Sequence, residues 1–225
     1  MTVPERLSAL RTLMKERGIT AYIVPSSDFH GSEYVGEYFK ERRFMSGFTG
    51  SAGTLLVLAE SAHLWTDGRY FLQAALQLEN SGIALMKMKE PGVPTLTEFL
   101  ADRLAENSVV GFDGRVISAS FAEELRKALA KKNIRFAGGE DLVDAVWTER
   151  PSMSAEKVWA LSAEYAGSRL EKMDRVRTCL EKNDCALLLV TAPEEIAWLL
   201  GLRGGDVECT PVFLSYMIIS REMII

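Results

Sequence analysis

Apolar residues Leu7, Leu10, Leu13 and Met14 recur at helical spacing over residues 5–17, and the pattern stops at Gly18. Residues 19–24 follow as a short apolar run and predict a buried strand. After an irregular stretch, 53–58 and 62–66 read as two strands joined by a short turn, and 68–79 as a helix. The alternation continues with strand 83–88, helix 95–106, strand 109–112, helix 118–132 and strand 134–137. Thr95 and Glu98 have the spacing of a capping box, which fixes the start of one helix. Mixed strands interleaved with helices predict an α/β domain whose sheet is covered on both faces. The polar, proline-containing stretch from Thr148 to Ser154 breaks the periodicity. The expected organisation is a first domain at 1–147, a linker at 148–162 and a second domain at 163–225.

The second domain repeats the first. Residues 10–24 pair without gaps with residues 176–190, both reading as helix, turn and buried strand. Residues 44–50 pair with 198–204 if the first copy holds twelve additional residues in between. The apolar stretch 212–219 then matches only the strand at 53–58, and the chain ends in Met223-Ile224-Ile225. The second copy is therefore expected to be partial, because an apolar end in mid-sheet would leave strand edges unpaired.

Composition narrows the class of function. The 225 residues carry a formal net charge of −5, with 48% hydrophobic and 25% charged residues, which suits a folded globular protein. No basic cluster is longer than Lys131-Lys132, so nucleic acid is excluded as a partner. No apolar run approaches the ~20 residues of a membrane-spanning helix, which argues against a membrane. The N-terminus lacks the basic and apolar regions of a signal peptide. Cys179, Cys185 and Cys209 are odd in number and lack zinc-site spacing, so they read as reduced core thiols of a cytoplasmic protein.

A metal hydrolase needs several His, Asp and Glu side chains converging on the ion. His30 and His63 are the two histidines, and neither stands at ligand spacing from another histidine or a cysteine. The glycine-rich stretch from Gly47 to Gly53 precedes a strand and not a helix, so it reads as a tight turn and not a phosphate loop. Ser51 lacks the glycine spacing of a nucleophile elbow. In the segment Trp65-Thr66-Asp67-Gly68-Arg69-Tyr70, Asp67 is placed to cap a helix and Arg69 falls in its first turn. The positive end of the helix dipole is a poor place for a cation, so Arg69 needs an anionic partner, either Asp67 or a ligand. Phe71, Ala74, Ala75 and Leu78 are expected to face the core, with Gln73 and Gln77 opposite.

Four segments, residues 43–54, 65–74, 142–151 and 195–208, resemble the N-terminal half of the three-domain Xaa-Pro aminopeptidases. The resemblance implies two creatinase-like N-terminal domains of the creatinase/prolidase (ribonuclease H-like) fold. It also implies a C-terminal pita-bread domain, absent here, that holds two divalent metal ions, usually manganese. On this reading the chain is the non-catalytic N-terminal region of an enzyme that removes a residue preceding proline, and it holds no metal or catalytic residue itself. The implied partners are an Xaa-Pro peptide and a second subunit of a homodimer. The resemblance carries one site residue, Arg69, as a substrate-positioning group, whereas His30, Tyr70, Arg203, Asp206 and Glu208 match the motifs without an assigned role. The sequence reads Gly-Phe-Thr-Gly at 47–50 where relatives often have Gly-Phe-Asp-Gly, and Gly-Gly-Asp-Val at 204–207 where Gly-Ser-Asp-Val is common. Two other classes remain: a stand-alone binding module of the same fold, and an unrelated hydrolase using Ser51.

Overall fold

The computed structural model describes every residue from Met1 to Ile225. The chain forms two compact units, one of Met1–Glu33 with Tyr38–Pro151, the other of Tyr34–Glu37 with Ser152–Ile225.

In the first unit the elements run α1 (Val3–Glu16), β1 (Ala21–Pro25), α2 (Glu41–Ser46), β2 (Thr54–Leu58), β3 (Ala62–Thr66), α3 (Phe71–Gln77), β4 (Ile83–Lys87), α4 (Leu96–Arg103), β5 (Val109–Phe112), α5 (Ala119–Ala128), β6 (Arg135–Ala137) and α6 (Leu142–Val146). The strands form one mixed six-stranded sheet in the order β4-β3-β2-β1-β5-β6. β2 runs antiparallel to β1 and β3, while β5 lies parallel to β1, so β1, β3 and β5 share one direction. Successive side chains of a strand point to opposite faces, and the core divides accordingly. Tyr22, Val24, Leu55 and Val57 pack with α1, α2, α3 and α6 residues, and Ala21, Ile23 and Leu56 pack with residues of α4 and α5. Burial on both faces explains why β1 has no polar alternation.

Local signals place the helices. Thr2 and Thr95 cap α1 and α4 with complete capping boxes closed by Glu5 and Glu98. The expected helix at 68–79 is instead a 3-10 turn, Gly68–Tyr70, followed by the short α3. Ala74 and Leu78 are buried as expected, but Ala75 is exposed, and Leu72 and Leu76 stand in solvent.

The second unit contains β7 (Trp159–Ala160), α7 (Ala163–Ala166), α8 (Arg169–Lys182), β8 (Leu187–Val190), α9 (Pro193–Leu200), β9 (Leu202–Arg203) and β10 (Met217–Ser220). β8 pairs antiparallel with β10, as β1 does with β2. α2 and α9 both end on a left-handed glycine, Gly47 at φ 72° and Gly201 at φ 65°, at matching positions of the repeat. The expected buried strand at β8 is open: Leu187, Leu188 and Leu189 are 57%, 40% and 56% exposed, because β8 has one strand neighbour where β1 has two. The strand expected over 212–219 begins only at Met217. Before it, the buried Asp206 carboxylate accepts from Leu214 N at 2.8 Å, and Asp206 N donates to Val212 O at 3.2 Å, which bends the chain out of the sheet. The three cysteines are unpaired and exposed, not in the core, since all lie in this less covered unit.

Candidate functional site

The C-terminal ends of β1 and β3 and the start of β2 enclose a cavity of about 330 Å³ whose lining includes Ser26, Ser51, Thr54, Trp65, Asp67 and Arg69. Behind Ser26 of this lining lies a buried cation. Arg42, on α2, donates from Nε to Ser26 Oγ at 2.9 Å and from its two Nη groups to the carbonyls of Phe48 and Gly50. Its bonds there go to neutral oxygens, and burial pushes its pKa down to about 10. Those bonds fix the glycine-rich turn. A Cβ at Gly50 would stand 2.3 Å from Phe48 Cζ and 2.8 Å from Tyr70 Cδ1, so this position tolerates no side chain. The neighbouring Ser51 hydroxyl meets Tyr70 OH at 2.7 Å, and Thr66 donates to Ala52 O at 2.7 Å.

Arg69 stands at this cavity, in the 3-10 turn that Asp67 caps. Asp67 Oδ1 accepts from Arg69 N at 3.0 Å and from Nε at 2.9 Å, and Oδ2 accepts from Nη2 at 2.9 Å. This bidentate fork holds the Asp67 carboxyl below the usual carboxylate range. The guanidinium carbon lies 5.2 Å from the Tyr70 ring centroid. A guanidinium has five N–H donors, of which the side-chain fork engages two. Arg69 is thus an oriented, 61% exposed donor with a fixed counter-charge. On α3, Gln77 accepts from Thr49 N at 2.9 Å and donates to Thr49 Oγ1 at 2.9 Å, tying the helix to the turn.

The other motif residues have structural partners. His30 has a side chain 4% exposed, 3.9 Å from Asp28. His63 meets Ser61 Oγ at 3.0 Å, and burial lowers its pKa. Arg203 donates to Leu202 O at 2.7 Å and Ala197 O at 3.3 Å. Asp206 accepts from Ser154 Oγ at 2.7 Å and Glu156 N at 3.0 Å, and Glu208 is exposed. Ser51 is met by a tyrosine hydroxyl and not by a histidine, which removes the basis for a serine-histidine pair. Sequence reading missed Arg42. The signal was faint: an arginine pair just ahead of a glycine-rich turn, with acceptors that are backbone carbonyls.

The acidic side chains that come together are Glu41, Asp113 and Asp141, whose oxygens lie within 4.8 Å of one another. Arg150, with a side chain 5% exposed, donates to Glu41, to Asp141 at 2.7 Å and to Asp144 at 3.1 Å. Arg115 grips Asp113 with bonds of 3.0 and 2.9 Å and reaches Asp141 at 3.4 Å. Two guanidinium groups stand where a cation would, so this donor set does not fit a dinuclear metal centre.

Two family models match the chain, both described as creatinase/prolidase N-terminal domains, one over residues 6–146 and one over 149–225. A probable Xaa-Pro aminopeptidase P from Laccaria bicolor is 43% identical over 224 residues, covering 98% of this chain and 35% of that protein. Aminopeptidase P2 of Arabidopsis thaliana is 43% identical over 228 residues, covering 99% and 32%. An X-prolyl aminopeptidase from Caenorhabditis elegans, described as a cytosolic enzyme with a di-nuclear active site, superposes with a TM-score of 0.93. It is 34% identical, and the match covers 100% of this chain and 38% of that structure. The chain thus spans about a third of the length of the relatives it matches, at 35% and 32% of the two curated proteins. With both of its units matched in this way, the chain belongs to the creatinase/prolidase N-terminal domain family.

Proposed function

We propose that these 225 residues are the N-terminal, non-catalytic region of a metal-dependent Xaa-Pro aminopeptidase, and that they shape the substrate channel. The observation that carries this reading is the match of the whole chain, at a TM-score of 0.93, to little more than a third of the C. elegans X-prolyl aminopeptidase. The two metal ions implied by that relative, with manganese as the metal to test, belong to a domain outside these residues. In this reading the longer protein is a cytoplasmic homodimer, and the division into 1–147, linker 148–162 and 163–225 follows its two N-terminal domains.

Arg69 is the substrate contact. Its fork with Asp67 fixes the guanidinium before any ligand arrives, so less conformational freedom is lost on binding. Because the fork is charge-compensated, the remaining N–H groups suit a neutral peptide carbonyl. Hydrolysis of an Xaa-Pro peptide is the direct test, run with added manganese on the 225-residue chain and on the longer gene product. Activity in the longer protein alone supports the reading; activity in the short chain overturns it. In the longer protein Arg69→Ala is expected to lower kcat/KM roughly 5- to 50-fold with unchanged thermal stability, in keeping with loss of one directed donor. Unchanged kinetics would remove Arg69 from the site.

A further inference from the structure

The Asp-Gly-Arg sequence occurs twice, as Asp67-Gly68-Arg69 after β3 and as Asp113-Gly114-Arg115 after β5. The two copies fold alike. Arg115 N donates to Asp113 Oδ1 at 2.9 Å, Nε to Oδ1 at 3.0 Å and Nη2 to Oδ2 at 2.9 Å, the same three bonds that join Arg69 to Asp67. Each guanidinium also lies against an aromatic ring, Arg115 over Phe29 at 4.9 Å and Arg69 over Tyr70 at 5.2 Å. Both arginine side chains are accessible, at 53% and 61%.

β3 and β5 share a direction, so both forks stand at the carboxyl edge of one sheet, the edge at which open α/β sheets bind ligands. Between β3 and β5 lie β2 and β1. Three interstrand steps of about 4.8 Å separate the forks by about 14 Å along that edge. An extended peptide advances about 3.4 Å per residue with a side-to-side period of two, so carbonyls four residues apart are about 14 Å apart and face the same way.

We propose that Arg115 is a second peptide-binding residue, contacting a backbone carbonyl four residues beyond the one that Arg69 contacts. The inference rests on the reading of Arg69 as a substrate contact. Asp113 and Asp141 neutralise Arg115 as Asp67 neutralises Arg69, so both positions suit a peptide carbonyl. The two forks together measure the length of the peptide tail: a substrate too short to reach Arg115 gains nothing from it.

The test uses the longer, active protein with an Xaa-Pro tripeptide and with peptides extended by four or more residues. Arg115→Gln is expected to raise KM for the extended peptides roughly 2- to 5-fold, the range of one half-exposed charged contact, with kcat and the tripeptide kinetics unchanged. Because Arg115 also balances the buried Asp113, Arg115→Lys is measured beside it. Lysine keeps the charge and loses the fork, and it should show the same length-dependent loss with full thermal stability. Equal losses on short and extended peptides, or no loss on either, would overturn the assignment. Arg69→Ala is run in parallel and should weaken both substrates. If it changes neither, the reading of Arg69 fails; if it acts while Arg115→Gln does not, only the second fork fails.

Discussion

At Glu41, burial and the neighbouring Asp141 carboxylate push the carboxyl up to about 8, while Arg150 pulls it down. The groups around it come from several segments: Tyr22 on β1, Asp113 and Arg115 after β5, Asp141 and Asp144 at α6, and Arg150 beyond it. In the unfolded chain this carboxyl ionises near 4.5, so between about pH 4.5 and 8 the folded state holds a proton that the unfolded state has lost. Stability from this group therefore falls as pH rises through that window. Glu41→Gln keeps an acceptor for Arg150 and cannot ionise. Urea denaturation at pH 5 and at pH 8.5 should show wild type losing more stability than Glu41→Gln over the interval, by an amount on the order of a few kcal/mol. Equal losses would mean that Glu41 is ionised throughout. None of this cluster was legible in the sequence, where Arg150 reads as part of a polar linker. Its partner Glu41 lies 109 residues away, and separation of that kind leaves no local pattern. Arg69 was legible because its partner, Asp67, sits two residues before it.

Strands and capped helices were read well where the pattern was long. The predicted strands 62–66 and 109–112 coincide with β3 and β5, and Thr95 caps α4 through the expected box. α2 and α6, of six and five residues, were missed because fewer than two turns carry no measurable helical period. β8 was read as buried from its leucines alone; hydropathy reports what a segment would bury, and only the sheet decides what covers it. A two-stranded ribbon is marginal in water. Hydrogen exchange in the 225-residue chain should therefore release the β8 and β10 amides well before those of β1 and β2, which sit at the centre of six strands. Similar protection in both pairs would show that the second unit is stabilised by something other than its own sheet.

Across the whole molecule, the repeat that pairs residues 10–24 with 176–190 is realised as α1 with β1 and α8 with β8, with β1 antiparallel to β2 and β8 antiparallel to β10. The two copies differ in how much core they own. The first has two packed layers, one on each sheet face, and the second has one principal cluster around Met173, Leu180, Ile196 and Ile219. That difference gives the chain an optical signature. Trp65 is 3% exposed and Trp147 is stacked on Phe44 at 4.5 Å, whereas Trp159 and Trp198, both in the second unit, are 48% and 50% exposed. Emission should divide into a blue, quencher-resistant half from the first unit and a red, iodide-accessible half from the second. A single class of accessibility would contradict it. On mild heating or denaturant the red half should change first, so ordinary tryptophan fluorescence can follow the two units separately in the native sequence, without a label.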